Sequence, residues 1–362
     1  MKFFNLSVAI SLVAFLFISC ESDDDADYIL PDDYESGIIV SHEGGFTSSG
    51  TTSFVSYDLS SKQNDIYKIV NKDQLGSYQQ SIGFDNENAY VVVDLQNTVT
   101  VVDRFTFEYK SQITDGLNTP RFVTISNGYA YVSNWGDPFL SDDDFIAVID
   151  LSDNSLHDTI DVDLGPEQLK IVNNSLYVSH KGAYGFNNII SVIDLTTNSV
   201  SKEIEVGYLP NDMVIVNEDL WVATEGKGSW QEIVTIDGVE IGETAGGLYL
   251  IDTTRNEISS SFELPEATSH IGKLVYDNIT ENLYYNIGNE IYSFSTIADS
   301  LSEESITSTT NIYGMSVKDG IIYTVDPLDY ASEGSLNIYD ISTDSWYNPV
   351  TVGLIPSKIY FN

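Results

Sequence analysis

The stretch Leu169-Lys170-Ile171-Val172, Asn173-Asn174, Leu176-Tyr177-Val178-Ser179 sets two short apolar runs around an Asn-Asn turn. A loop leads on to Ile190-Ser191-Val192-Ile193-Asp194-Leu195. A turn at Thr197-Asn198, a run from Val200 to Val206, and Gly207-Tyr208-Leu209-Pro210 complete the unit. β-branched and aromatic residues with period-2 alternation, bounded by Asn, Gly and Asp, read as four successive strands joined by turns.

The unit repeats along the chain. Its third strand ends on Asp58, Asp103, Asp150, Asp194, Asp252 and Asp340, with Ser295 in the remaining copy. These positions lie 43 to 47 residues apart, except for 58 between Asp194 and Asp252, where Trp230 to Ala245 is inserted. A four-stranded repeat of roughly 40–45 residues is the length of a β-propeller blade. The aspartates are read as turn residues, because an Asp side chain accepts a hydrogen bond from the backbone two residues on.

The chain ends supply an independent argument. Pro356-Ser357-Lys358-Ile359-Tyr360-Phe361-Asn362 reads as a first strand with no second strand after it. Gly37-Ile38-Ile39-Val40-Ser41-His42 reads as a second strand with no first strand before it. Joined, they rebuild the pattern of the fourth copy, with Ser41-His42 where Ser179-His180 fall. Pairing them removes two open sheet edges and closes the ring. The expectation is an all-β, seven-bladed β-propeller of four-stranded blades over residues 37–362. No sustained helical stripe competes with it.

Ahead of the repeat, residues 1–19 read as a signal peptide. Lys2 precedes the apolar run Phe3 to Ile18, which is too short to span a bilayer. Phe17-Ile18-Ser19-Cys20 resembles the lipobox of bacterial lipoproteins, and Cys20 is the chain's one cysteine, so lipidation is its expected role. Residues 20–36 form an acidic tether. Its run Glu21-Ser22-Asp23-Asp24-Asp25-Ala26-Asp27 resembles the export signal that sends Bacteroidota lipoproteins to the outer face of the outer membrane. Contact with the membrane is then through the lipid alone. With 55 acidic against 15 basic residues and a formal charge of −40, the chain repels phosphate backbones, which argues against nucleic acid as a partner.

In a propeller the loops from second to third strand, and from each blade to the next, share one face around the central channel. Binding residues gather there on a rigid scaffold. The candidate ligand-binding set on this face is His42, Glu43, Asp94, Asn134, Trp135, His180, Lys181, Tyr184, Glu225, Trp230, Tyr313, Asp326 and Tyr330. Inter-blade loops add Tyr78, Arg121, Glu167, Tyr208 and His270. Aromatic faces with interspersed amides suit a large ring-bearing ligand. His42 and His180 hold equivalent places in two blades, which fits either joint metal or ligand contact across the axis or simple descent from one repeat. The run Ser141-Asp142-Asp143-Asp144 lacks the alternating spacing of a calcium loop and reads as a solvated acidic loop. No Gly-x-Ser-x-Gly, His-Glu-x-x-His or paired-Cys motif is present, so catalysis is not expected and no cofactor is indicated.

Blade four resembles the YVTN repeat of YncE-like propellers. The order Ile312-Tyr313-Gly314-Met315, Asp319-Gly320-Ile321-Ile322-Tyr323, Asp326-Pro327-Leu328-Asp329-Tyr330 and Gly353-Leu354-Ile355-Pro356 resembles Bacteroidota surface propeller lipoproteins. That group includes cobalamin-capturing partners of TonB-dependent transporters. The resemblance implies a lipid-anchored outer-membrane protein that binds a nutrient or cofactor, such as a corrinoid, and passes it to such a transporter. Two alternatives stand beside it. One is a surface-layer or adhesive interaction propeller. The other is a polysaccharide-active enzyme, which needs an acid/base pair such as His180 with Glu43 or Glu225.

Overall fold

The computed structural model describes residues 33–140, 142–231, 233–236 and 239–362. Cys20 and most of the acidic tether lie outside them. Seven antiparallel sheets succeed one another along the chain, each running from an inner strand to an outer one. In blade four the strands are Pro166–Val172, Ser175–His180, Ile189–Asp194 and Ser199–Glu205. Blade one is composite: Pro356–Phe361 pairs antiparallel with Gly37–His42, setting Ile39 opposite Tyr360 and Val40 opposite Ile359. His42 faces Pro356 as His180 faces Pro166, so the two blades are superposable in register as the sequence predicts.

The six turn aspartates behave alike. Each accepts a hydrogen bond from the backbone N–H two residues on, at 2.8 to 3.0 Å, from Ser60, Phe105, Ser152, Thr196, Thr254 and Ser342. These bonds pull the Asp58 carboxyl down to about 2, with the Ser56 and Ser60 hydroxyls foremost. The same turn chemistry, repeated, sets the third strand of every blade but the sixth.

Second strands are buried along almost their whole length, as in Asn88–Val93 and Ser175–His180, because neighbouring blades cover both faces. Outer strands alternate with solvent, as in Glu257–Glu263. The core is therefore a series of apolar seams between blades, such as Tyr90, Val92, Ala130 and Val132 between blades two and three. The insertion in blade five carries a small hairpin, Val234–Ile236 with Val239–Ile241. The helix Ile66–Asn71 fills the passage from blade one to blade two and buries Ile66 and Tyr67.

Near the loop-rich face the inner strands of six blades lose register with their neighbours. Shifts fall between Gln79 and Ser81, Pro120 and Val123, Pro166 and Leu169, Pro210 and Asp212, and Ile271 and Leu274. In blade one the shift lies at Ser41/His42. A bulge bends a strand and re-aims its side chains. Side chains at or beside these bulges lace the ring together: Ser81 Oγ donates to Arg121 O, Arg121 to Glu167, Gln168 to Asp212 and Asn211 to Gly272 O.

The N-terminal end of the described residues is docked. Tyr34 is buried against Phe54 and Phe107, its N–H donates to Phe105 O, and its carbonyl accepts from Asn362 Nδ2 at 2.7 Å. The chain thus leaves the propeller on the face opposite the long loops.

Candidate functional site

The loop-rich face gathers its charged groups into pairs around the axis. Arg121 lies between Asp94 (3.1 Å) and Glu167 (3.2 Å), with its guanidinium 3.9 Å above the Trp135 ring. Burial raises the Asp94 carboxyl pKa, and Arg121 opposes that. Lys181 pairs with Glu225 at 2.8 Å across blades four and five. The Tyr313 hydroxyl donates to Glu43 at 3.0 Å, and burial first, then Glu43, drives its pKa up. His270 Nδ1 meets Glu225 O at 3.0 Å and Nε2 meets Glu243 at 3.3 Å.

Around this ionic centre stand aromatic side chains. Trp135 meets Tyr184 edge-on at 5.9 Å, and Tyr184 meets Phe139 at 5.3 Å, forming a ladder from the channel to the rim. Phe46 packs on Tyr78, and Tyr330 on Tyr313. The four most exposed aromatic residues described are Phe139 (82%), Phe46 (80%), Trp230 (76%) and Tyr184 (67%), and all four belong to this face.

Four predicted residues are scaffold. Asn134 is buried, accepting from Asn118 N and donating to Val132 O. Asp326 is buried and ties Thr310, Asn311 N and Leu328 N together. His42 and His180 are both fully buried in their own blades, the first with Nε2 2.8 Å from Ser53 Oγ. They do not join across the axis. Burial drives His42 down to about 3, against the backbone of Gly353 and Leu354, and His180 down to about 4, against Asp163 and Leu164. Among the described residues no cluster of three or more His, Cys, Asp or Glu is placed to hold a metal. Neither ring nitrogen of His180 bonds to Glu43 or Glu225, so that pair is not formed.

The loop expected to be solvated turns inward at its end. Asp144 is buried and accepts from Gly165 N at 2.8 Å, while Asp143 accepts from Asp137 N. Burial pushes the Asp144 carboxyl up to about 7, with the Gly165 N–H opposing and the carboxylates of Asp143 and Asp163 adding to the rise. Three channel residues escaped the sequence reading as site candidates: Phe122, Lys273 and Lys358. They lie on inner strands, where the bulges decide which side chains reach the axis. Two clefts lie off the axis. One of about 250 Å³ runs between Thr47–Thr51 and the helix, and one of about 370 Å³ lies between Tyr284 and Tyr339.

Among solved structures, the chain is similar to a quinonprotein alcohol dehydrogenase-like protein from Bacteroides thetaiotaomicron (15% identity, 91% of this chain and 79% of that one, TM-score 0.63). It is also similar to hydrazine synthase of Kuenenia stuttgartiensis (16%, 77% and 88%, TM-score 0.60). A third is the dihydro-heme d1 dehydrogenase NirN (12%, 92% and 77%, TM-score 0.56). At these identities the likeness is one of fold, the β-propeller. No curated protein matches. Residues 36–324 match the model of a domain of unknown function, DUF5074, and the chain belongs to that family.

Proposed function

We propose that this protein is a binding module whose loop-rich face captures an extracellular ligand, carried on a lipidated Cys20 at the outer surface of the outer membrane. The observation that carries the reading is the arrangement of that face: paired charges around the axis, ringed by the most exposed aromatic side chains described. Aromatic faces give contact area with few rotors to freeze, and fixed charges orient what lands on them. The chain leaves from the opposite face through Tyr34, so an anchored propeller presents its aromatic face outward.

A corrinoid handed on to a TonB-dependent transporter is the ligand that the resemblance to Bacteroidota surface propellers favours. Calorimetric titration of the purified full chain with cobalamins and cobinamide tests it. The expected result is binding in the micromolar range or tighter, weakened about tenfold or more by the double change Tyr184→Ala and Trp230→Ala. No heat with any corrinoid would sink the corrinoid version.

A second reading, a face that docks another protein, is favoured by the open, aromatic rim. Exposed apolar groups rimmed by charge are also what protein interfaces use. Co-purification of a surface protein that is lost with the same double change, without corrinoid binding, would favour it.

A further inference from the structure

We propose that the channel mouth holds an oxyanion group, a carboxylate or a phosphate, between the ammonium groups of Lys273 and Lys358. The chain carries 15 basic residues against 55 acidic. Yet five of them, Arg121, Lys170, Lys273, Lys318 and Lys358, lie on the seven inner strands that wall the channel. A surface kept soluble by negative charge gains nothing from cations placed there.

Their placement at the mouth is built by the bulges. Arg121 falls inside the shift between Pro120 and Val123, and Lys273 inside that between Ile271 and Leu274. Lys358 faces Ser41 directly beside the shift at His42. The three cations differ in what they meet. Arg121 is held by Asp94 and Glu167 and capped by Trp135. Among the described residues neither Lys273 nor Lys358 has a carboxylate within 4.0 Å. The Lys358 ammonium instead lies 5.1 Å from the Phe122 ring of blade three, having left its own blade one.

Two neighbouring ammonium groups without a counter-ion repel each other, and an anion bound between them relieves that cost. The groups that act on Lys358 are Glu43, Lys273, Glu167 and Arg121. Burial is the largest influence, and it lowers the amine to about 8. Glu43 and Glu167 are already engaged, by Tyr313 and Arg121 respectively. What the two lysines leave open is acceptor oxygen. This deepens the capture reading by naming a feature of the ligand: an acidic group seated in the channel while an apolar body rests on the aromatic rim.

Amine labelling of the full chain, read lysine by lysine by peptide mass spectrometry, tests the site directly. Inorganic phosphate and citrate are compared with sodium chloride at matched ionic strength. The expected result is protection of Lys273 and Lys358 by one or both oxyanions, with the exposed Lys72 and Lys110 unchanged. Protection by citrate alone assigns a carboxylate, and by phosphate alone a phosphate. In calorimetry, Lys358→Met and Lys273→Met are each expected to weaken that oxyanion at least about tenfold, the loss that follows removal of a hydrogen bond to a charged group. The two separate variants guard against one failing to fold. Equal labelling of Lys273 and Lys358 in chloride, phosphate and citrate would overturn the site. Corrinoid binding in the same preparation would then show that the capture reading survives without it.

Discussion

His42 and His180 occupy the last position of the second strand in two blades, and both are sealed from solvent there. Their burial makes a stability statement with a definite sign. The folded pKa values, about 3 and about 4, lie below the usual 6.5 of the unfolded chain. Between pH 6.5 and about 4 the unfolded chain takes up protons that the folded rings refuse, so stability falls as the solution is acidified. Each histidine contributes roughly 1.4 kcal/mol per pH unit in that window. Replacing His180 by Gln is expected to remove about that much from the slope of unfolding free energy against pH between 6 and 5. Urea melts at several pH values read it. An unchanged slope would show that the His180 ring protonates in place.

At the scale of elements, the closing strand Pro356–Phe361 does most to hold the ring shut. It supplies the inner strand of blade one, and Tyr360 OH receives the Ile82 N–H of blade two at 2.9 Å. Ser316 Oγ of blade seven donates to Ile359 O at 3.1 Å. A chain ending at Leu354 exposes the edge of Gly37–His42 and uncovers two seams at once. The expected loss exceeds the roughly 5 kcal/mol at the low end of domain stability, so the single cooperative melt followed by circular dichroism should disappear. A retained sharp transition would show that the ring closes without its clasp. This strand and the turn aspartates were legible in the sequence because both rest on local or pairwise patterns: alternation, an Asp two residues before its N–H donor, and matched ends. The channel was not legible. Whether Lys273 faces the axis depends on a bulge opposite Asn286 and its neighbours, and no spacing within Ile271–Asp277 announces it. His42 and His180 misled for a related reason. Repeat position placed them at the loop-rich end, but the covering loops that bury them belong to other parts of the chain, Gly353-Leu354 and Asp163-Leu164.

At the scale of the whole molecule, the two faces differ in kind, and the proposed lipid anchor would make that difference directional. One face carries short turns fixed by aspartates and the docked Tyr34. The other carries the long loops, the Arg121 and Lys181 ion pairs and the four most exposed aromatic side chains described. Because Cys20 is the only cysteine, single thiols introduced elsewhere report orientation without interference once Cys20 is lipidated. Ser229 is exposed directly before the insertion of blade five on the loop-rich face, and Ser152 is exposed in the turn after Asp150 on the other. With a membrane-impermeant maleimide on intact cells, Ser229→Cys is expected to label faster than Ser152→Cys, while the unmodified chain does not label. Detergent should bring the two rates together, since both positions are equally free in the isolated molecule. Labelling of neither until the cells are broken would remove the surface location. Faster labelling of Ser152→Cys would mean that the aromatic face is turned toward the membrane, and the ligand must then reach it from a neighbouring membrane protein.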